Sequence, residues 1–174
     1  MNQHKILVAF YSKAGENYGV GNVEIGNTEM MAKNIAEFVG GDLFKIEPII
    51  PYPDNYEEST VVAKEELQAN VRPEIKNQVP NFLDYDIIFI GYPNWWGMYP
   101  MIINAFMESY DFTSKTVIPF NTHEGSGSSN TYQEIKNKLS NTKVLEGLAI
   151  TGRSAREESS REVIKNWIDG LKID

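Results

Sequence analysis

Ser12 and, after a detour, Gly26, Asn27 and Thr28 are the residues whose types and spacing suggest chemistry first. They lie between a short apolar run at 5–11 (KILVAFY) and a segment in which Met31, Ile35, Phe38 and Val39 recur at helical spacing. A buried strand, a small polar loop and a helix start make a place to hold an anion. The free N–H groups of the first helical turn point at it, and the helix dipole favours negative charge there. The hydroxyls of Ser12 and Thr28 and the amide of Asn27 add donors without adding charge. The plainer alternative is that Asn27 or Thr28 is only a helix cap and Gly26 a turn residue. Residues 21–28 nearly fit G-x-x-x-x-G-K-[ST], but Asn27 stands where the lysine belongs. A triphosphate is therefore a poor guess, and neutral donors suit a single phosphomonoester.

Two further loops carry unusual side chains. Pro93, Asn94, Trp95, Trp96, Gly97, Met98 and Tyr99 place three large aromatics within five positions, which suits a planar ligand or a partner surface. One of the two tryptophans packing into the core is the ordinary alternative. Thr122, His123, Glu124, Gly125, Ser126 and Gly127 offer hydroxyls and N–H groups to the polar edge of a heterocycle. His123 lines such a ring or a substrate pocket, or is a surface histidine. A hydrolase using Ser126 with His123 is a competing reading, weakened by the missing G-x-S-x-G elbow and third member.

The elements that must position these loops follow from hydrophobic patterning. Strands are expected at 5–11, 42–47, 86–92, 115–121 and 144–150, the last interrupted by Gly147, with Pro119 a mild objection to the fourth. Helices are expected from Thr28 to the stop at Gly40–Gly41, over 55–70 with a weak apolar face, from Pro100, up to about Leu139, and from about Glu158. Strands alternating with helices predict a doubly wound, five-stranded parallel sheet with helices on both faces, an α/β fold. In such sheets ligands bind beyond the carboxyl ends of the strands, where the loops after strands one, three and four converge. Their donors ask for a planar, polar-edged ring joined to one phosphate, and FMN fits. The flavin then carries the redox chemistry and no side chain need act as acid or base.

At 174 residues the chain is expected to be a single FMN-binding domain over 1–174. Cysteine is absent, which excludes disulfides, thiolate metal sites and cysteine nucleophiles, and no metal site is expected. The net charge of −8 argues against nucleic-acid or anionic-membrane partners. Asp54, Glu57, Glu58, Glu65 and Glu66 are a solvated helix face or a docking patch for a basic redox partner. No apolar run is long enough to span a bilayer and no signal-peptide pattern opens the chain, so a cytoplasmic protein is expected.

The chain resembles the flavodoxin-like superfamily, in the branch with a lengthened first loop. The residues that carry this are Tyr11-Ser12-Lys13-Ala14-Gly15-Glu16-Asn17-Tyr18 with Gly26-Asn27-Thr28-Glu29, then Gly91-Tyr92-Pro93-Asn94-Trp95-Trp96-Gly97, then Phe120-Asn121-Thr122-His123-Glu124-Gly125-Ser126-Gly127. The resemblance implies sheet order 2-1-3-4-5 with FMN at the switch point between strands one and three. It implies Ser12, Asn27 and Thr28 at the ribityl phosphate, Pro93 to Gly97 beside the isoalloxazine, and Thr122 to Gly127 near its pyrimidine edge. The inserted residues 16–25 split the phosphate loop, and Gly26, where the helix begins, is expected to supply contacts with its two neighbours. Gly97 is expected to let the backbone beside flavin N5 turn over on reduction. The implied activity is electron transfer through bound FMN, to a redox partner protein or a small-molecule acceptor, by a monomer or homodimer. Alternatives are an NAD(P)H-dependent quinone or flavin reductase and a non-catalytic interaction protein.

Overall fold

The computed structural model describes residues 3–173, so residues 1, 2 and 174 at the ends of the expected domain lie outside the described residues. The first apolar run forms β1 (Ile6–Phe10), paired in parallel with β4 (Asp42–Lys45) on one side and β5 (Ile87–Pro93) on the other. Beyond β5 lies β6 (Thr116–His123), also parallel. The fifth position is shared by two short strands along β6, β7 (Lys143–Val144) and β8 (Leu148–Thr151). The sheet order is therefore β4-β1-β5-β6 followed by β7 and β8, which is the 2-1-3-4-5 arrangement with its last strand broken. The break has a local cause. Pro119 has no N–H to give and falls between the registers of β7 (Thr116, Val117) and β8 (Phe120 to His123). There Gly147 passes so close that a Cβ would come within 2.6 Å of the Pro119 carbonyl.

Alternation along the strands sends side chains to two separate cores. Leu7, Ala9, Ile88, Ile90 and Val117 face α2 (Tyr56–Ala69), α3 (Met101–Ser109) and α4 (Thr131–Lys138). Val8, Phe10, Phe89, Ile118 and Phe120 face α1 (Asn27–Val39), the single turn α5 (Gly152–Ala155) and α6 (Ser159–Leu171). Each fully buried aliphatic contributes about 1.5–3 kcal/mol relative to leaving it exposed. Burial on both faces is why the strands read as continuous apolar runs. Pro100 is not the first helical residue as expected; its ψ of 144° is extended, and it precedes α3 as the cap. No helix among the described residues is long and apolar enough to cross a membrane.

Residues 15–23 form an element of their own. β2 (Gly15–Asn17) and β3 (Gly21–Val23) pair antiparallel as a hairpin outside the main sheet. It leaves the carboxyl edge of β1 and returns at the head of α1.

Candidate functional site

Three chain segments leave the carboxyl edges of β1, β5 and β6 and meet above the sheet. The first brings the head of α1. Gly26, with extended φ and ψ of −65° and 160°, occupies the cap position, and Asn27 and Thr28 lie inside the first turn. The cap reading of those two residues is thus corrected: the side-chain acceptor is Ser12, whose Oγ takes the Glu29 N–H at 3.0 Å. Among the described residues, no hydrogen bond claims the N–H of Asn27 or Thr28, leaving two donors of a 13-residue helix free. The Thr28 hydroxyl is buried and bonded to the Thr122 hydroxyl at 2.8 Å, joining this turn to the end of β6. The Asn27 amide oxygen accepts from Arg156 at 3.2 Å.

The hairpin is fastened across this edge. The Lys13 ammonium, almost fully buried, donates to the carbonyls of Glu16 at 2.8 Å and of Ala14 and Asp54 at 3.3 Å each. Burial holds its pKa below the usual lysine value, with Asp54 and Glu16 opposing. At the hairpin tip the Tyr18 ring lies 5.9 Å from that of Tyr56, at the start of α2. A Cβ on Gly19 would come within 2.9 Å of the Glu124 carboxylate.

The second segment turns sharply. Trp95 N–H donates to the Met98 carbonyl at 2.8 Å and Met98 N–H returns to Trp95 at 3.1 Å. Trp96 and Gly97 between them hold φ of 57° and 74°, the signature of a type I′ turn. The reversal splits the two tryptophans. Trp95 packs inward, edge-on to Tyr11 at 5.5 Å and to Tyr52 at 5.0 Å. Trp96 stays 54% exposed. Its indole N–H reaches the Thr60 carbonyl on α2 at 3.0 Å, and the Lys64 ammonium sits 5.0 Å from its ring centre. Asn94 gives its amide N–H₂ to the Gly127 carbonyl and the Ser129 hydroxyl, each at 2.9 Å, while its Oδ1 is buried with no partner. An orphaned acceptor of this kind costs free energy unless a ligand or water donates to it.

The third segment, after β6, is held by its own hydrogen bonds. Gly125 N–H donates to His123 Nδ1 at 2.9 Å, which leaves the imidazole proton on Nε2. Burial lowers the His123 pKa from the usual histidine value. Between that lowered pKa and about 6.5 the unfolded chain binds more protons, so stability rises with pH across the window and is lost on acidification. An NMR titration of the imidazole is expected to show a midpoint below 6.5; one at or above it contradicts this geometry. The Glu124 carboxyl is pushed up by partial burial, opposed by Arg153 and the Gly152 N–H.

A cavity of about 300 Å³ opens beneath the hairpin, lined by Lys13 and Asn17, by Tyr56 and Thr60 of α2, and by Asn94, Trp95 and Trp96. Pro93 ends β5 in register with Thr122, and Gly97 closes the turn. Ser12, Gly26, Asn27, Thr28 and Thr122 cluster at the head of α1; His123, Gly125, Ser126 and Gly127 lie outside the cavity wall, and the Glu124 carboxylate reaches back beside Asn27, where a Cβ on Gly152 would lie 2.3 Å from Asn27 Nδ2 and 2.4 Å from Glu124 Oε1. Sequence reading missed the cavity's α2 wall, because α2 reads as a weakly amphipathic, acidic helix. It also missed Arg156, which lies 129 residues from its partner Asn27.

A doubly wound α/β sheet with its loops gathered at the switch point defines a ligand-binding protein of the open-sheet type. The flavodoxin family model matches residues 5–171, and the chain belongs to that family. A candidate flavoprotein from Bacteroides eggerthii is 32% identical, covers 98% of this chain and 99% of its own, and superposes with a TM-score of 0.77. One from Bacteroides uniformis is 31% identical over 97% and 99%, with a TM-score of 0.78. A flavoprotein from Lactobacillus acidophilus, solved in complex with FMN, shares the fold at 22% identity over 84% and 93%, with a TM-score of 0.66. No curated sequence matches significantly.

Proposed function

We propose that the chain is an FMN-binding domain over residues 1–174 that moves electrons through the bound flavin. The observation that carries this reading is the pair of free N–H donors on Asn27 and Thr28 at the head of α1, facing the loops after β5 and β6. The donor set fits the group. Neutral donors at Ser12, Asn27 and Thr28 suit a phosphomonoester, the orphaned Asn94 oxygen suits a ring N–H, and the exposed Trp96 ring suits stacking. Family membership and the FMN complex of the L. acidophilus relative point the same way.

In this arrangement FMN supplies the redox chemistry. The protein's residues bind, orient and tune. Ser12 holds the first helical turn in shape, and Asn27 and Thr28 anchor the phosphate. Asn94, Trp95, Trp96 and Pro93 bound the ring on one side, and Thr122 to Gly127 bound its polar edge on the other. Gly97 lies in the left-handed region, where its neighbouring peptide turns over at low cost. Glu124 adds negative charge on the polar rim. Glu124→Gln is expected to raise the flavin midpoint potential, by an amount on the order of tens of millivolts, because a nearby carboxylate disfavours added electrons. An unchanged potential contradicts that role.

The preferred activity is one-electron transfer to a partner protein, by a cytoplasmic monomer or homodimer whose acidic α2 face docks on a basic surface. A second reading, reduction of a small quinone or flavin by NAD(P)H, is favoured by the cavity of about 300 Å³ beside Trp96. An anaerobic reductive titration separates them. Two resolved one-electron steps support the carrier; a single two-electron step supports the reductase.

A further inference from the structure

We infer that Arg156 is a positioning residue for phosphate recognition, acting through the Asn27 side chain; this rests on the FMN reading above. Arg156 follows α5, and one guanidinium nitrogen, Nη1, donates to the Ile25 carbonyl at 2.7 Å and to Asn27 Oδ1 at 3.2 Å. A guanidinium has donors only, so it can hold only the oxygen of the amide. With Oδ1 held, the N–H₂ of Asn27 is turned the other way. It points past Gly152, where a Cβ would lie 2.3 Å from Nδ2 and 2.4 Å from Glu124 Oε1, so only glycine leaves that group room, and the Glu124 carboxylate on that side favours the same N–H₂-outward orientation.

No hydrogen bond among the described residues claims Asn27 Nδ2. Without Arg156 the amide is free to flip and present its oxygen, which repels a phosphate instead of donating to it. The Ile25 contact fixes the guanidinium itself, holding Nη1 where it meets Asn27 Oδ1. Of the other basic groups nearby, Arg153 faces the Glu124 carboxylate and the lysines are committed elsewhere. Lys13 is spent on three carbonyls, and Lys33 and Lys45 lie against Glu29 at 3.7 Å and 3.2 Å. Arg156 therefore sets the polarity of the one side-chain amide in the first turn of α1.

The test compares FMN with riboflavin, which has the same ring and no phosphate. Both are titrated by flavin fluorescence into the full chain, Arg156→Met, Asn27→Ala and the double variant, with a thermal melt on each. Arg156→Met is expected to weaken FMN about tenfold, the order of one charge-assisted hydrogen bond, and to leave riboflavin within about twofold. In the Asn27→Ala background the same change is expected to add nothing, since a residue that acts through another loses its effect when that residue is gone. Arg156→Lys keeps the charge but is shorter and lacks the rigid planar fork that aims Nη1, so it is expected to fold and to show the same selective loss at smaller size.

Equal weakening of both flavins overturns the inference, as does a further tenfold loss in the Asn27→Ala background, which would make Arg156 a direct phosphate contact. Unchanged FMN affinity overturns it too. Failure of the FMN reading shows separately, as no binding of either flavin by the unaltered chain, and it removes the inference as well.

Discussion

Gly26→Ala is expected to abolish FMN retention and to cost about 2–3 kcal/mol of stability. The added Cβ would sit 2.2 Å from Ser12 Oγ and 2.5 Å from the Lys13 carbonyl. Backbone conformation is not the obstacle, since φ at Gly26 is −65°. What forbids a side chain is the close passage of the loop after β1, which must lie there for Ser12 to receive the Glu29 N–H. Pushing that loop away uncaps α1 and moves the N–H groups of Asn27 and Thr28 out of line together. A loss of about a hundredfold in FMN affinity corresponds to about 2.7 kcal/mol, comparable with the strain. A denaturant melt and a flavin titration check both parts. Wild-type stability with full flavin retention would show that the head of α1 is not the anchor.

The second large effect separates two adjacent, chemically identical residues. Trp95→Ala is expected to destabilise the fold by about 2–4 kcal/mol, because its ring fills the space between Tyr11 and Tyr52 beneath the site. Trp96→Ala is expected to change stability by less than about 1 kcal/mol and to weaken FMN by about fivefold, the order of one aromatic contact. Paired thermal melts and flavin titrations read the two roles. If Trp96→Ala melts early and Trp95→Ala does not, the assignment of structural and ligand-facing rings is reversed.

That division also marks the limit of what the amino-acid pattern discloses. The main strands are legible because a sheet buried on both faces needs uninterrupted apolar residues, as in Ile87–Pro93. The three loops are legible because glycine, hydroxyl and tryptophan clusters are costly where they do nothing. Which tryptophan faces inward is not legible, since a left-handed turn at Trp96 decides it and any pair of aromatics looks alike in sequence. Residues 15–23 show no strand signal, because Gly-Glu-Asn and Gly-Asn-Val carry no apolar alternation. Their order comes from long-range anchors: Lys13 on the Asp54 carbonyl, Glu16 N–H on the same carbonyl at 3.2 Å, and Tyr18 beside Tyr56. Arg156 is hidden for the same reason, since an exposed-looking arginine after a four-residue helix has no local pattern to mark it.

The most direct test of the central claim is an amide ¹H–¹⁵N spectrum of the isotope-labelled chain, freed of flavin and titrated with FMN. The largest shifts are expected at the N–H groups of Asn27 and Thr28, with a second set at residues 94–97 and 122–127. Riboflavin is expected to reproduce only the second set. Shifts confined to other surfaces, or none at saturating FMN, would contradict the assignment of this crevice as a flavin site.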